Sequence, residues 1–184
     1  MKVFYTASYY GKSKYQKYYD IILKALENLK LDIVSPEKGN YKELLTKKEL
    51  EAYKGAKAIH YEAIKKGILW ADAVIIEISN EDFQLGHEAT LAIQNKKHIL
   101  ALSLHEDFSE KIKNRYFHAA KYNEFNYEEI LENFIYLVGG ETLDQRFNMF
   151  LSTRQLTHLE KAAKEHKVNM SEYVRMLIDL DASK

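Results

Sequence analysis

Four short apolar runs, residues 2–6, 31–34, 73–78 and 98–103, alternate with stretches whose apolar residues recur at helical spacing. That alternation constrains the fold more than any other feature. Strands apolar on both faces must be covered on both faces, and a strand–helix–strand order gives a parallel sheet. The first run enters a small-residue turn, Ala7-Ser8-Tyr9-Tyr10-Gly11, and then a helix with Tyr15, Tyr18, Ile22, Ala25, Leu26 and Leu29 on its apolar face. Ser35-Pro36 closes the second run. Helices are expected near residues 41–53, 58–70, 88–94 and 127–138.

At Gly139-Gly140 the pattern changes. Residues 146–151 read as a short strand with Phe147, Met149 and Leu151 on one face. Thr153 can cap a helix to about residue 167, and Ser171 a second one. One strand and two helices cannot bury a core alone, so this segment must pair with another copy or dock on the first domain. The expected domains are residues 1–140 and 145–184.

Composition narrows the function classes. The 184 residues carry a formal net charge of zero, so an attraction to nucleic acid or anionic membrane needs a local patch. The chain has no cysteine, which removes disulfides, thiol catalysis and zinc–thiolate sites. No apolar run approaches the roughly 18 residues of a membrane span, and the N-terminus has no signal-peptide pattern. A cytoplasmic location without membrane association is the expectation. The 14 tyrosines can stack on a ring-shaped ligand, but amphipathic packing accounts for most of them.

The chemistry concentrates after the third run, in Asp82-Phe83-Gln84-Leu85-Gly86-His87-Glu88. In open α/β sheets, ligands bind where strands end. Glu88 is expected on the first turn of a helix, where the dipole favours an ionised carboxylate. Such a group can attack an anomeric carbon. The same placement suits a glutamate that merely complements the dipole. Asp82 is either its partner in a two-carboxylate site or a solvated loop acid. Ser8 and Gly11 follow the first strand and leave room for backbone N–H groups to approach a hydroxyl or phosphate. His87, His98 and His105 share no ligand spacing and read as packing or surface residues. No metal and no cofactor is expected.

Together, Val3-Phe4-Tyr5-Thr6-Ala7-Ser8, Ala71-Asp72-Ala73-Val74, the Asp82–Glu88 stretch, Ala92, Lys97 and His98-Ile99-Leu100-Ala101-Leu102 resemble the nucleoside 2-deoxyribosyltransferase family. Its relatives that hydrolyse nucleoside monophosphates are included in the likeness, which covers about residues 2–138. The resemblance implies a flavodoxin-like five-stranded parallel sheet and a symmetric homo-oligomer. It makes Glu88 the nucleophile that forms a covalent glycosyl intermediate, resolved by a second base or water. Asp82 matches the acid that binds the 5′-hydroxyl. Because an aspartate repels phosphate, Asp82 favours a nucleoside over a nucleotide. Gly86 belongs to the same motif. Asn114 falls near the position from which a neighbouring subunit completes the 5′ end, and Tyr116 near the same wall. Two departures stand out. The family's orienting tyrosine is replaced by Phe4, with Tyr5 alongside but pointing to the opposite face. The family's base-handling aspartate is replaced by Ile64, with Glu62 two residues away.

The C-terminal stretch, Arg146 to Ser152 followed by Leu156, Leu159, Ala162, Ala163 and then Ser171 to Ile178, resembles a ribbon-helix-helix module. Such modules form intertwined dimers whose paired strands can enter the DNA major groove. Arg146, Asn148 and Phe150 would then face outward. From Asp144 to Lys184, seven basic residues stand against six acidic ones, thin for a phosphate-neutralising surface. Dimerisation and DNA binding both stay open. Two functions follow as expectations, beside the plain alternative of an assembly protein with neither activity. One is an enzyme cleaving or transferring at the N-glycosidic bond of a (deoxy)nucleoside. The other is a transcriptional regulator that senses a nucleoside-like ligand and binds DNA through its tail.

Overall fold

A computed structural model describes residues 1–141 and 147–182. The chain divides into two units, Met1–Thr142 and Leu143–Lys184.

The first unit is a flavodoxin-like α/β fold. Its strands are β1 (Lys2–Ala7), β2 (Asp32–Val34), β3 (Ala73–Glu77), β4 (His98–Ser103) and β5 (Phe117–Lys121). They form one parallel sheet in the order β2-β1-β3-β4-β5. Every residue of β3 and β4 is buried, as the unbroken apolar runs require. Alternation along β1 divides the core. Val3 and Tyr5 face α1 (Lys12–Asn28) and α5 (Tyr127–Glu141), while Phe4 faces α3 (Ala56–Trp70) and α4 (Phe83–Gln94).

Four local departures from the sequence expectation have physical causes. The stretch 41–53 is not one helix. It makes a 3-10 turn, Tyr41–Leu44, and then α2 (Lys47–Ala52), begun by a capping box between Thr46 and Glu49. On α1 the buried tyrosines are Tyr15 and Tyr19, with Tyr18 only partly covered. Strand β5 is half exposed at the sheet edge, so it lacks the apolar run that marks the other strands. Finally, α4 begins at Phe83 rather than at Glu88, because the Asp82 carboxylate caps it by accepting from Leu85 N–H at 2.9 Å.

Two glycines mark close approaches. A Cβ on Gly67 would meet the Phe4 ring, and one on Gly11 would meet the Tyr19 hydroxyl and Asn80. Gly67 therefore lets α3 lie against β1, and Gly11 lets the β1–α1 turn approach the loop after β3.

The second unit contains α6 (Thr153–Glu165) and α7 (Met170–Ala182), packed on each other around Ala162 and Ala163. Both caps lie one or two residues before the expected ones. Ser152, not Thr153, caps α6 and forms a capping box with Gln155. Asn169, not Ser171, caps α7 by accepting from Glu172 N–H at 2.8 Å. Residues 147–152 form no strand within the chain. A strand needs a partner to complete its hydrogen bonds, and this segment has none among the described residues of its own unit. Among the described residues, no helix is long and apolar enough to cross a membrane.

Candidate functional site

The sheet order reverses direction between β1 and β3, and a cleft of about 280 Å³ opens there at the carboxyl ends of the strands. Thr6 and Ala7 end β1, Pro36 and Glu37 follow β2, and Asp82, Gln84 and Leu85 follow β3. Tyr41, His60 and Ile64 close the α3 side, and Tyr9, Tyr10 and Lys12 close the other. Asn40 sets the loop that delivers Tyr41. Its side chain accepts from Ser35 N–H at 2.9 Å and donates to Ile33 C=O at 2.9 Å.

Glu88 lies behind the wall made by Thr6 and Gln84. It is 1% exposed and sits in the second turn of α4, facing the sheet. Its Oε1 accepts from Gln84 Nε2 at 2.7 Å, while Oε2 is buried with no hydrogen-bond partner among the described residues. The expected field is reversed. Burial pushes the carboxyl up to about 7, and the nearby Asp82 charge adds in the same direction. The Gln84 amide and the Thr6 hydroxyl offset only part of this. With Asp82 as the cap, Glu88 is too far along α4 to be governed by the helix end.

Gln84 holds two acceptors with one nitrogen. Besides Glu88 Oε1, its Nε2 lies 3.2 Å from His60 Nε2. His60 Nδ1 lies 2.9 Å from Tyr41 Oη. Burial, with a contribution from Lys42, lowers the His60 pKa, which favours the neutral imidazole. As Nε2 accepts from Gln84, the proton is on Nδ1 and is donated to Tyr41. The relay runs Tyr41–His60–Gln84–Glu88 along the cleft wall.

Asp82 and Ser8 form the second polar group. Ser8 Oγ donates to Asp82 Oδ2 at 2.5 Å and accepts from Asn80 Nδ2 at 2.9 Å. Asp82 is thus a cap and a fixed cleft carboxylate together, not a solvated loop acid. Glu37, across the cleft, is held by Lys12 at 2.8 Å and by Gln16 at 3.0 Å.

Other expected site residues lie elsewhere. Tyr5 is on the opposite face of the sheet, where its hydroxyl donates to Tyr19 C=O at 3.1 Å. Phe4 faces the Glu88 side, but its ring is spent against Gly67, and the hydroxyl on that face of β1 comes from Thr6. Gly11 packs against Tyr19 and Asn80 and does not line the cleft. Gly86 is exposed, and a Cβ there would meet open space. Glu62 pairs with Lys65 at 3.8 Å and does not line the cleft. His60, one turn before Ile64 on the same face of α3, does. Asn114 and Tyr116 precede β5, at the amino end of the sheet and away from the cleft of their own chain. There Asn114 Oδ1 accepts from Tyr116 N–H at 2.9 Å, and the Tyr116 ring meets His98 edge-on. Asn148 and Phe150 are exposed, and Arg146 lies outside the described residues. His87 stacks on Tyr61, His98 on His118, and His105 meets Tyr15 edge-on. Among the described residues, no group of three or more His, Asp or Glu is arranged to hold a metal ion.

Gln84 had a signal in the sequence, since it stands four residues before Glu88 and therefore on the same helix face. Tyr41 and His60 had none. Their meeting depends on how the loop after β2 folds over α3. No family model matches the chain, and no curated protein sequence matches it.

Proposed function

We propose that the first unit cleaves or transfers at the N-glycosidic bond of a (deoxy)nucleoside or a related small molecule, with Glu88 as the nucleophile. The observation that carries this reading is Glu88 Oε2, a buried carboxylate oxygen that makes no hydrogen bond among the described residues, behind the wall of a cleft at the switch point of the sheet. Buried polar atoms are ordinarily satisfied, and orphans gather where chemistry or binding uses them.

In this mechanism Oε2 bonds to C1′ as the C1′–N bond breaks. The bonding pair leaves on the base nitrogen, which takes a proton from water. Water then adds to C1′, the C1′–O bond to Glu88 breaks with its pair returning to the carboxylate, and a proton passes to solvent. Where a free base is the acceptor, its ring nitrogen replaces the water and releases its own proton. Asp82, oriented by Ser8, accepts from the sugar's 5′-hydroxyl. The cleft carries Asp82 and Glu37, and its Lys12 is already paired with Glu37, which suits an uncharged 5′ end over a phosphate. Attack requires the ionised form of Glu88, so kcat/KM should rise with pH through about 7.

The test is incubation of the full chain with deoxynucleosides, with and without a free acceptor base, followed by chromatography. Base release or exchange that disappears in Glu88→Ala supports the reading, and turnover unchanged in that variant would sink it. The assembly in this reading is a symmetric homo-oligomer joined through the second unit, where Phe147, Met149, Leu177 and Ile178 are exposed. The exposure of Asn148 and Phe150 on a segment without a strand partner also favours a second reading, a nucleoside-sensing regulator that binds DNA. Salt-resistant, sequence-specific retention of DNA by the full chain, with no nucleoside turnover, would replace the first reading with this one.

A further inference from the structure

We propose that His60 is the group that recognises the leaving base, and that it selects bases presenting an exocyclic amino group, of the adenine or cytosine type. The inference rests on the nucleoside reading of the cleft and adds to it the chemistry of the base.

Three observations carry it. His60 lines the cleft, with its ring held by Tyr41 at 2.9 Å from Nδ1 and a ring-to-ring distance of 5.4 Å. Its Nε2 is therefore an acceptor, and it already takes an amide N–H from Gln84 at 3.2 Å. The same Gln84 nitrogen sits on Glu88 Oε1. A ligand that takes the place of this amide vacates both acceptors at once, the nucleophile and the imidazole. Glu88 is behind Gln84 rather than in the cleft wall, so productive binding requires that displacement. An amino N–H of the base offers Nε2 the same kind of donor that Gln84 offers now. A base with only hydrogen at that position leaves Nε2 without a partner, and the binding of such a base is weakened accordingly.

Tyr41 has a specific part in this. In the tautomer that the donor-only Gln84 amide nitrogen selects, the Tyr41 oxygen accepts from Nδ1–H and leaves Nε2 as the acceptor. Without that oxygen Nδ1–H loses its partner and the ring its anchor, which weakens the preference for an amino group. Ile64, one turn along α3, supplies an apolar surface beside His60 and no competing polar group.

The test compares 2′-deoxyadenosine with purine 2′-deoxyriboside, which differ by the single amino group. Dissociation constants and kcat/KM are measured on the full-length protein, on His60→Ala and on Tyr41→Phe. The wild type should favour deoxyadenosine by about tenfold or more. His60→Ala should bring the ratio close to one and Tyr41→Phe should lower it, with far-UV circular dichroism unchanged. A general loss of packing lowers affinity for both nucleosides alike and leaves the ratio in place, so the ratio isolates recognition. A wild-type ratio near one, or a ratio that survives His60→Ala, overturns the proposal while leaving cleavage by Glu88 intact. Binding that discriminates without any cleavage keeps the proposal and overturns the enzymatic reading. Absence of binding by either nucleoside overturns both.

Discussion

Two glutamates are buried on opposite faces of the same sheet, and they are satisfied to different degrees. Glu77, at the end of β3 on the α1/α5 face, is fully buried, and both its oxygens are engaged. Tyr122 Oη donates to Oε1 at 2.9 Å, the Ser79 hydroxyl donates to the same oxygen, and Ser79 N–H reaches Oε2 at 3.3 Å. Glu88, on the α3/α4 face, is as deeply buried, but Oε1 takes the Gln84 amide while Oε2 makes no hydrogen bond among the described residues, the Thr6 hydroxyl nearby offsetting part of its burial. Burial raises the pKa of both. The contrast separates two uses of a buried carboxylate. Glu77 closes a network that ties β3 to Tyr122 and, through Ser79 Oγ accepting from Leu104 N–H at 2.9 Å, to the loop after β4. Glu88 holds only the Gln84 amide, and in the proposed reading its incomplete satisfaction is what marks it for reaction.

Exchanging the two roles by mutation should give the largest effects. Glu88→Ala is expected to reduce nucleoside turnover roughly a thousandfold or more, with the folded state kept. Glu77→Ala should instead lower the unfolding free energy by about 2–4 kcal/mol, because it strands the Tyr122 hydroxyl and the Ser79 donors in the interior. Denaturant titration and turnover measured on both variants would show whether the division holds. If Glu77→Ala loses turnover without losing stability, the assignment is reversed.

The next effect is on pH dependence. The Glu88 carboxyl is pushed up to about 7 in the folded protein, against 4.5 as its ordinary value. Below pH 4.5 it is protonated in both states and its neutral form is tolerated fully. As pH rises toward 7 the unfolded chain gives up the proton and the folded one holds it, so stability falls, by about 3 kcal/mol from this group. Glu77 adds a loss of the same sign. Glu88→Gln should therefore flatten the decline in unfolding free energy between pH 4.5 and 8, measured by urea titration at several pH values. A Glu88→Gln variant whose decline matches the wild type would show that Glu88 titrates near its ordinary value.

Smaller effects test the scaffold around the site. Gly67→Ala would force a methyl into the Phe4 ring and should cost about 1–3 kcal/mol, visible as a lowered Tm. Ser8→Ala removes one hydrogen bond to Asp82 and leaves the α4 cap in place. It should cost about 1 kcal/mol of stability while raising the KM for nucleosides more than it lowers kcat.

What the sequence revealed, and what it hid, follows the same division between burial and partnership. Strands β3 and β4 were legible because a strand covered on both faces must be apolar throughout, whereas β5 is an edge strand with an ordinary composition. The start of α4 was hidden by Gly86, which suggested a loop, although Asp82 lies at capping distance from Leu85. Position relative to the third strand was enough to single out Glu88 and Asp82. It could not show that Glu88 faces inward, because that depends on where the helix begins. A one-turn error in that start turned an expected depressed pKa into a raised one. The residues that hold Glu88, namely Gln84 and, beyond it, His60 and Tyr41, come from separate elements that meet only in three dimensions. In the C-terminal unit the two helices were legible from their periodicity. The ribbon strand was read from alternation alone, and alternation does not supply the partner that a strand needs.

The most direct test of the claim that Glu88 is the reactive carboxylate is to trap it. A 2′-fluorinated deoxynucleoside slows the breakdown of a glycosyl ester, because the fluorine disfavours positive charge at C1′. The full-length protein would be incubated with this nucleoside at pH 8, then analysed by intact mass and peptide mapping. One fluorinated sugar per chain is expected, on the peptide that contains Glu88, and none in Glu88→Gln. A sugar attached to another residue, or unmodified protein after the base has been released, would contradict it.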